Sequence, residues 1–509
     1  MIQLTEIFQP GMTLQRNKPI RIWGTSEKEN NIRVTLNGAL LTEETLPQGK
    51  FQFYLPPQEA MEDAELRFED TSTCQTITLT SVDFGEIWIA GGQSNMEFLL
   101  KYDKEAESVI PSANDSHFRF YDVGKWAWSG EKELGLKDAG GWDHWISYKP
   151  ETAGKFSAVA VYFALRLRQK LGVPVGIVGC NWGGTSASCW VNRESLEKDS
   201  LLQVYTERFD KDIQGVDMEK YLESLKEPNP YASNPKVIAE TEKRMKNEIT
   251  SAPGLLTRIV GKIIVATSKM TPYSEYRPGG LYETMVKPIA GFTASGFLWY
   301  QGESDYNHGD VYDRLLSLVI HTWRKDWDEE LPFLLVQLTS YEGWPECSGE
   351  NYEIIRAQQQ KVADTMAGVY LASIMDVGSR YDIHPKEKRP VGARLAALAL
   401  NHVYGIPTPC DAPRVSGIRR EQGGLTVTFA HAESGLMAKG DLNHLFKVRI
   451  DGKPVPVNAS LRGSEVLLKG AGLSSGKAEV SFAYERFCPM TLFNHNGLSA
   501  RPSEPMQIP

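Results

Sequence analysis

The sequence predicts an α/β protein in which a parallel sheet carries helices on both faces and β-sandwich regions lie at both ends of the chain. Two observations support this fold class. Between about residues 85 and 405, short apolar strands alternate with segments of helix length. Before and after this region, the chain contains short alternating runs separated by turn residues. The 509 residues are enough for about two to four domains.

The N-terminal region, residues 1–84, is typical of an all-β domain. Its segments alternate between apolar and polar residues, which favours short strands with one buried face. Examples are residues 20–23, 32–36, 51–55 and 76–79. We therefore predict an N-terminal β-sandwich.

The central region, residues 85–405, has the order of strand, loop and helix that is typical of a parallel sheet. Predicted strands lie at residues 86–90, 175–180, 295–300, 333–338 and 369–375, and predicted helices at residues 156–171, 354–366 and 388–404. Residues 195–280 are charged and helix-prone, with few strand signals, so we interpret them as a helical insertion.

The C-terminal region, residues 406–509, returns to short β segments. Examples are residues 425–429, 446–450, 466–468 and 478–482. A C-terminal β-rich domain is therefore predicted.

The composition argues against several classes of protein. A net charge of −9, a pI near 5.7 and the lack of a basic tract argue against a nucleic-acid partner. No stretch approaches the roughly 18 apolar residues of a membrane helix, so no membrane contact is expected. The N-terminal residues lack the pattern of a signal peptide, and from this we expect a cytoplasmic protein. Assembly into a homo-oligomer is left open.

The six cysteines show neither a CxxC pair nor a zinc-like spacing with histidine. They are too few for a disulfide scaffold in a chain of this length. We expect buried, unreactive thiols, and a single disulfide between two of them is left open.

Polar clusters lie at the predicted strand ends, where ligands bind in an open parallel sheet. The first, GGQSNM at 91–96, follows the predicted strand 86–90 and opens a helix. Ser94 at this turn would have an accessible hydroxyl near backbone N–H groups that stabilise negative charge. The sequence differs from the GxSxG elbow because Met96 replaces the second glycine. Helix capping is the alternative role for Ser94.

Two further clusters follow predicted strands. The glycine pair of NWGGTS, residues 181–186, would bring bare backbone N–H groups close to a ligand, and an ordinary turn is the alternative. In WYQGESD, residues 299–305, the carboxamide of Gln301 is a candidate donor to an oxyanion, and Glu303 is a candidate for orienting its neighbours. Solvated loop residues are the alternative there.

The fourth cluster is DIHP at residues 382–385, on a loop between a predicted strand and a predicted helix. His384 has a carboxylate two residues before it, Asp382, so the pair has the parts of a general base and its orienting acid. The other eight histidines lack comparable sequence context. His384 is therefore the best candidate for a base.

The four clusters, in this order, resemble the SGNH hydrolases, and specifically their sialate O-acetylesterase-like branch of carbohydrate esterases. Residues 92–96 resemble the nucleophile block, and residues 183–186 with Trp190 resemble the glycine block. Residues 300–304 resemble the third block, and residues 382–385 resemble the block that carries the acid and the histidine. The likeness extends to residues 8–15 and 494–502, so it covers most of the chain outside the insertion.

This resemblance implies a three-layer α/β/α, flavodoxin-like hydrolase domain that needs neither a metal nor another cofactor. Its partner would be an O-acetylated carbohydrate, from which it releases acetate. Sialic acid fits the family name best, and xylan-type or mannan-type plant oligosaccharides are the alternative. Ser94 would be the nucleophile and His384 the base, with Asp382 as the acid.

The resemblance also implies roles for the residues around these three. The N–H groups of Ser94 and Gly184, with Gln301, would form the oxyanion hole. The implied substrate-binding residues are Gln93, Asn95, Trp190 and Glu303.

One departure from the family pattern concerns the acid. Many SGNH enzymes place it three residues before the histidine, where this chain has Tyr381. Asp382, two residues before the histidine, takes the role in our prediction. A Ser-His dyad with a backbone carbonyl in place of the acid, or an acid at Asp376, stays open.

Two other functions compete with the esterase. A glycoside hydrolase would need two carboxylates, such as Glu97 and Glu303, about 5–10 Å apart across a sugar, and it would leave Ser94 and His384 without a role. A non-catalytic sugar-binding protein would use exposed aromatic rings, such as Trp182 and Trp190, although a core position is the commoner fate of tryptophan.

Overall fold

The computed structural model describes residues 1–131, 141–226, 235–250, 270–344, 347–348 and 351–508. The chain divides into two compact units. The first comprises residues 1–246, 269–299 and 317–333, and the second comprises residues 247–268, 300–316 and 334–509. The three sequence-based domain boundaries stay a prediction.

The strands of the first unit are β1 (Ile2–Leu4), β2 (Thr13–Gln15), β3 (Ile20–Ser26), β4 (Asn30–Leu36), β5 (Ala39–Leu46), β6 (Gly49–Leu55), β7 (Met61–Asp70), β8 (Thr76–Gly92), β9 (Asp115–Asp122), β10 (Trp145–Tyr148), β11 (Val175–Asn181) and β12 (Gly296–Tyr300). The strands that follow are β13 (Phe333–Val336), β14 (Gly343–Trp344), β15 (Cys347–Ser348), β16 (Val369–Ala372), β17 (Arg414–Glu421), β18 (Gly424–Ala430), β19 (Leu436–Ala438), β20 (Phe446–Ile450), β21 (Lys453–Val455), β22 (Asn458–Arg462), β23 (Glu465–Lys469), β24 (Ala478–Phe482), β25 (Leu492–Asn494) and β26 (Ser503–Ile508).

The α-helices of the described residues are Ser94–Glu97, Ala106–Val109, Pro150–Ala153, Ala158–Leu171, Arg193–Lys198, Gln203–Asp212, Met218–Leu225, Pro235–Lys246, Lys287–Ile289, Tyr312–Trp327, Tyr352–Thr365 and Arg389–His402. A π-helix spans Tyr282–Val286, and 3₁₀-helices span Leu100–Tyr102, Ala187–Trp190, Glu303–Val311 and Asn443–Leu445. In the described part of the chain, every helix is too short or too polar to cross a membrane.

A sheet with the strand order β10-β9-β11-β8-β12 forms the centre of the first unit. Strand β11 runs parallel to β8 on one side and to β9 on the other. Strand β11 is buried along its whole length and β8 is buried from Val82 to Gly92, which is typical of a parallel sheet covered on both faces. The predicted α/β fold class is confirmed in this coarse form.

The N-terminal strands differ from the prediction of a separate sandwich. Strands β1, β3 and β6 form one antiparallel sheet, whereas β4, β5 and β7 continue into the central sheet through β8. The segments predicted at 76–79 and 86–90 are therefore parts of a single strand of 17 residues. Register shifts against β7 interrupt the pairing between them, which explains why the alternation changes along this strand.

The helix Ala158–Leu171, predicted at residues 156–171, packs against the central sheet and has a capping residue at each end. The Ser157 hydroxyl accepts a hydrogen bond from the Ala160 N–H at 3.2 Å, and Gly172 ends the helix at a φ of +66°. Phe163 on its buried face packs edge-on against Trp88 of β8, with ring centroids 5.1 Å apart. This contact joins the helix to the strand that leads to the first polar cluster.

The C-terminal part of the second unit contains two four-stranded antiparallel sheets, β17-β18-β23-β22 and β21-β20-β24-β26. Phe429 of the first sheet packs against Phe482 of the second, with ring centroids 5.4 Å apart. The predicted β-rich C-terminal region is therefore confirmed, and its core lies between the two sheets.

The described part of the predicted insertion at residues 195–280 contains the helices Gln203–Asp212, Met218–Leu225 and Pro235–Lys246, whereas residues 270–279 form turns and bends. Residues 227–234 and 251–269 of this segment lie outside the described residues. Among the described residues, Cys74, Cys180, Cys189, Cys410 and Cys488 are not in disulfide bonds, and all but Cys74 are buried.

Candidate active site

Two glycines let strand β8 lead into the Ser94 turn. A Cβ on Gly91 would lie 2.8 Å from Trp323 Cη2 and 2.9 Å from Trp299 Cε3, so the close packing of two indoles requires glycine there. Gly92 has a φ of +129°, a conformation that other residues rarely adopt. Both glycines of the cluster are thus explained by packing and backbone geometry.

Ser94 is the first residue of the short helix Ser94–Glu97 and is half-buried. Gln93 occupies the N-cap, and its carbonyl accepts hydrogen bonds from Met96 at 2.9 Å and Glu97 at 3.0 Å. Helix capping is therefore not the role of Ser94. Backbone N–H groups in the first turn of a helix point away from the helix. An oxyanion donor at Ser94 requires this direction.

The glycine cluster lies beside Ser94 because β11 and β8 are parallel and end in register. Asn181 of β11 pairs with Gly92 of β8, and the Trp182 N–H donates to the Gly92 carbonyl at 3.1 Å. A Cβ on Gly183 would lie 3.2 Å from the Ser94 Cβ. The structure therefore brings together two clusters that are about ninety residues apart in sequence.

Glu97 connects these two turns, a role that the sequence analysis missed. Its Oε2 accepts a hydrogen bond from the Gly183 N–H at 2.6 Å, and its Oε1 pairs with the ammonium of Lys125. The Lys125 side chain is only 5% exposed. Glu97 thus holds the glycine turn against the helix that carries Ser94. This role of Glu97 has no local sequence signal, because Lys125 and Gly183 are distant along the chain.

Because Glu97 positions the glycine turn, we expect Glu97→Gln to lower kcat for acetate release about tenfold. The amide keeps the size of the side chain but weakens the charge-assisted hydrogen bond to Gly183 and leaves buried Lys125 without its counter-charge. Steady-state kinetics, with thermal unfolding in parallel, measures both effects. The double variant Glu97→Gln/Lys125→Met is expected to recover stability but not kcat. Unchanged kcat in Glu97→Gln would contradict this role.

The space beside Gly183 gives a second prediction. We expect Gly183→Ala to reduce kcat at least about tenfold, because its methyl group would lie 3.0 Å from Glu97 Oε2 and 3.2 Å from the Ser94 Cβ. Gly154→Ala is a matched control, since Gly154 has a φ of −61° and the nearest atoms to its Cβ are 3.5 Å away. If Gly183→Ala and Gly154→Ala are equally active, the glycine turn accommodates the added methyl group and the prediction is wrong.

Trp190 belongs to the packed core of the first unit. It is fully buried, its indole N–H donates to the Thr185 hydroxyl at 3.0 Å, and its ring packs edge-on against Trp299. A stacking surface for a sugar needs an accessible ring face. The structure therefore favours the core interpretation of Trp190 and argues against direct contact with a sugar. Gln93 and Asn95 are also buried, at 2% and 1% exposure.

Tyr276 is an aromatic side chain that the sequence analysis missed beside the glycine turn. A Cβ on Gly184 would lie 3.4 Å from the Tyr276 ring, and Tyr276 is half-buried. Gly184 itself has a φ of +76°, so glycine is favoured there on backbone grounds as well. Tyr276 was overlooked because it lies in the segment interpreted as an insertion.

In the second unit, Gln301 is fully buried within a hydrogen-bond network. Its Nε2 donates to Asp305 at 2.6 Å, and its Oε1 accepts a hydrogen bond from the Tyr312 hydroxyl at 2.8 Å. The Gln359 side chain also donates to the Gln301 carbonyl at 3.0 Å. These contacts fix the carboxamide in one orientation, and its role in the oxyanion hole stays a prediction.

Glu303 begins the 3₁₀-helix that follows Gln301 and is 4% exposed. Burial, together with the charge of Glu303, raises the pKa of the Tyr300 phenol. Tyr300 is therefore a neutral side chain at physiological pH. The substrate-binding role predicted for Glu303 stays a prediction.

Asp382 supports the loop that carries His384. Its Oδ1 accepts a hydrogen bond from the His384 backbone N–H at 2.9 Å. Its Oδ2 accepts one from the Ile249 N–H at 3.3 Å and pairs with Lys386 at 3.1 Å. Both side chains of this ion pair are buried. The carboxylate thus fixes the backbone at His384, whatever it contributes to the imidazole.

Asp376, the alternative acid, is engaged by Arg394 in a two-point ion pair. The two guanidinium nitrogens lie 2.6 and 2.7 Å from its carboxylate oxygens. Although burial opposes it, the hydrogen bonds and charge of Arg394 hold the pKa of Asp376 below its usual value. These contacts give Asp376 a structural partner and make it the weaker candidate for the acid.

The predicted site residues fall into two groups, each within one unit. The first unit carries Gln93, Ser94, Asn95, Gly184 and Trp190, and the second carries Gln301, Glu303, Asp382 and His384. Among the described residues, the groups of His, Cys, Asp and Glu that could hold a metal are His402 with Cys410 and Asp411, and Asp63 with Asp83 and His117. Neither group contains a predicted catalytic residue.

Comparison with known proteins identifies relatives of one kind. Residues 248–401 match the family model described as carbohydrate esterase, sialic acid-specific acetylesterase. The sialate O-acetylesterase of Mus musculus is 26% identical over 421 residues, which cover 75% of this chain and 70% of the mouse protein. The Homo sapiens protein of the same name is 25% identical over 357 residues, covering 65% of this chain and 55% of the human protein.

The fold has a counterpart among solved structures. A carbohydrate acetylesterase from Xanthomonas citri aligns over 100% of both chains with a TM-score of 0.76 and 24% sequence identity. At this identity the likeness concerns the fold, and it supports the α/β architecture with its additional C-terminal strands. Together with the family match, these similarities confirm the resemblance that the four sequence clusters indicate: this chain is similar to the sialate O-acetylesterases, and its residues 248–401 match the model of the sialic acid-specific carbohydrate esterases.

Proposed function

We propose that this protein is a serine carbohydrate O-acetylesterase in which Ser94 is the nucleophile, His384 the base and Asp382 the acid. The observation that carries the proposal is the adjacency of the Ser94 turn and the Gly183–Gly184 turn at the ends of two parallel strands. This arrangement supplies a hydroxyl and backbone N–H donors at one edge of a sheet, where ligands bind in open α/β folds. The relatives named above supply the substrate class.

The proposed reaction has two stages. The Ser94 oxygen attacks the acetyl carbonyl while His384 takes the proton of the Ser94 hydroxyl. A tetrahedral oxyanion forms on the former carbonyl oxygen. The N–H groups of Ser94 and Gly184, with Gln301, stabilise this oxyanion, and one such donor is typically worth about 2.7–4 kcal/mol of barrier. The intermediate collapses, the sugar oxygen leaves with the proton from His384, and acetyl-Ser94 remains. Water, activated by His384, then releases acetate.

We also propose that the catalytic region has the three-layer α/β/α architecture of the SGNH hydrolases. The parallel order β9-β11-β8 and the helices beside it support this assignment. In such folds the nucleophile turn follows a central strand, as Ser94 follows β8.

Sialic acid is the first candidate for the sugar, because the curated relatives are sialate O-acetylesterases. The test is acetate release from a panel of O-acetylated sialic acids, acetylated xylo-oligosaccharides and acetylated manno-oligosaccharides. We expect turnover of the acetylated sialic acids and a lower kcat/KM on the plant-derived sugars. The reverse order of kcat/KM would indicate that plant oligosaccharides are the substrates. If no sugar of the panel releases acetate, the proposed function is contradicted.

The glycoside hydrolase alternative loses support from the contacts of Glu97. Its carboxylate is engaged by Lys125 and by the Gly183 N–H. The Glu97 carboxylate therefore holds the turn beside Ser94, which disfavours it as an acid or nucleophile for glycoside hydrolysis. An aryl glycoside, which should not be cleaved, tests this alternative directly.

Asp382→Asn distinguishes a catalytic acid from a loop support. The amide oxygen can still accept from the His384 backbone N–H, so loop geometry should survive, while the negative charge is lost. If Asp382 orients the imidazole as a triad acid, we expect kcat to fall by about 10⁴-fold, as in the corresponding triad substitution. A fall of tenfold or less would instead favour a Ser-His dyad. Because buried Lys386 loses its partner, thermal unfolding must confirm that the variant is folded.

A further inference from the structure

Three metal-ligating side chains meet where the last helix of the α/β region ends. His402 is the final residue of the helix Arg389–His402, and Cys410 and Asp411 lie on the loop before β17. His402 Nε2 is 3.5 Å from Cys410 Sγ and 3.8 Å from Asp411 Oδ1. Cys410 Sγ is 3.7 Å from Asp411 Oδ2. No role in the proposed esterase reaction involves these residues.

These separations fit a tetrahedral metal site. Zinc binds thiolate sulfur at about 2.3 Å, imidazole nitrogen at about 2.0–2.1 Å and carboxylate oxygen at about 2.0–2.2 Å, so at tetrahedral angles the ligand atoms lie about 3.3–3.6 Å apart. The distance between His402 Nε2 and Cys410 Sγ, 3.5 Å, falls in this range. The two distances to Asp411 involve different carboxylate oxygens, and one ligand atom from each of the three side chains lies within 4.8 Å of the other two. We propose that His402, Cys410 and Asp411 bind Zn²⁺ or another divalent ion that prefers thiolate and imidazole ligands.

The ligands are held in place by neighbouring groups. The Tyr370 ring stacks on the His402 ring, with centroids 4.0 Å apart and planes 10° apart. The Asn494 side chain donates to the Asp411 carbonyl at 3.4 Å. Cys410 is 6% exposed. Binding of one ion therefore requires that a single Asp411 oxygen approach the other two ligand atoms and that the thiol lose its proton to water.

A cavity of about 340 Å³ gives access to the site. Cys410 and Asp411 line it together with His431 and Glu433. The fourth coordination position can therefore be taken by water from this cavity. Three protein ligands with an accessible fourth position are a common arrangement for protein-bound zinc.

The charges around this site differ from those of the other candidate group, Asp63, Asp83 and His117. There, Arg119 already lies 3.1 Å from Asp83 and 3.4 Å from Asp63, so a resident cation neutralises the carboxylates. Such a cation disfavours binding of a second positive ion.

The buried Arg501 interacts electrostatically with Cys410 and Asp411. Its guanidinium donates to the Leu371 carbonyl at 2.9 Å and to Gln360 at 3.4 Å. At the other candidate group, by contrast, Arg119 contacts both carboxylates directly, which favours the cluster around Cys410 as the metal site.

Titration of the full, tag-free chain with Co²⁺ and with Zn²⁺ tests this proposal. We expect one equivalent of Co²⁺ to give a thiolate-to-cobalt charge-transfer band in the near ultraviolet, and Zn²⁺ to displace it. Cys410→Ser should abolish the band and weaken Zn²⁺ binding at least tenfold by calorimetry. His402→Gln and Asp411→Asn should each weaken Zn²⁺ binding about tenfold while the protein stays folded.

Two control variants separate this site from the rest of the chain. Cys74→Ser removes an exposed thiol, and His117→Ala disrupts the other candidate group. Both should leave the band and the Zn²⁺ affinity unchanged. The proposal is overturned if the unmodified chain gives no charge-transfer band, or if the band survives in Cys410→Ser.

Discussion

Replacing Ser94 with alanine is expected to lower the rate of acetate release by at least about a thousandfold. The variant loses the oxygen that forms the acetyl-enzyme, and removal of a serine nucleophile leaves only the catalysis that oxyanion donors and substrate binding supply. The fold should be unaffected, because Ser94 is half-buried and Gln93 provides the N-cap of its helix. The measurement is initial acetate release on the best substrate of the panel, with circular dichroism and thermal unfolding in parallel.

A matched control uses a serine far from the proposed chemistry. Ser108 is exposed on the short helix Ala106–Val109, and its hydroxyl donates to the Glu105 carbonyl. Ser108→Ala should keep full activity. If Ser94→Ala retains a tenth or more of the activity in a preparation free of contaminating esterase, Ser94 is not the nucleophile.

His384→Ala is expected to have an effect of similar size, again about a thousandfold or more. Without the imidazole, no group takes the proton from Ser94 as its oxygen attacks, or returns one to the departing sugar oxygen. Added imidazole should restore part of the lost rate, because it can enter the space left by the side chain. His321→Ala, at an exposed position of the helix Tyr312–Trp327, is the matched control and should keep full activity.

The pH dependence gives an independent test of the base. A protonated imidazole cannot accept a proton, so kcat/KM of the unmodified enzyme should fall as the pH drops through the range where histidines titrate, around 6.5. His384→Ala should lose this acidic limb. A rate that stays flat from pH 5 to pH 8 in the unmodified enzyme would argue against a histidine base.

The sequence predicted the fold class because its signals are local. The buried apolar run of β11 and the capped helix Ala158–Leu171 each follow from a few neighbouring residues. The continuous strand β8 was predicted as two pieces, since alternation stops where its partner changes from β7 to β11. Pairing partners are set by tertiary structure, which local periodicity does not encode.

The candidate site was predictable to the extent that its residues lie in short motifs. Ser94 and the glycine pair each stand out beside a strand end, and the parallel register of β8 and β11 brings them together. Glu97 and Tyr276 were missed because their partners, Lys125, Gly183 and Gly184, are distant in sequence. His402 and Cys410 were missed for a different reason: they are close in sequence, but their spacing matches no common metal-binding motif.

Trp190 illustrates a different limit of sequence analysis. From sequence, a tryptophan near a glycine motif is compatible with sugar stacking, although a core position is the commoner outcome. Only its complete burial and its hydrogen bond to Thr185 decide between them. Burial depends on which elements pack against the residue, so it could not be obtained from the motif alone.

The nucleophile itself can be identified by labelling with a fluorophosphonate, which reacts with a serine only when a neighbouring base activates its hydroxyl. We expect stoichiometric inactivation of the enzyme, one adduct on the peptide that contains Ser94, and labelling at least about a hundredfold slower in His384→Ala. Complete inactivation with the adduct on another residue, or equal labelling rates in the two proteins, would contradict a Ser94 nucleophile activated by His384.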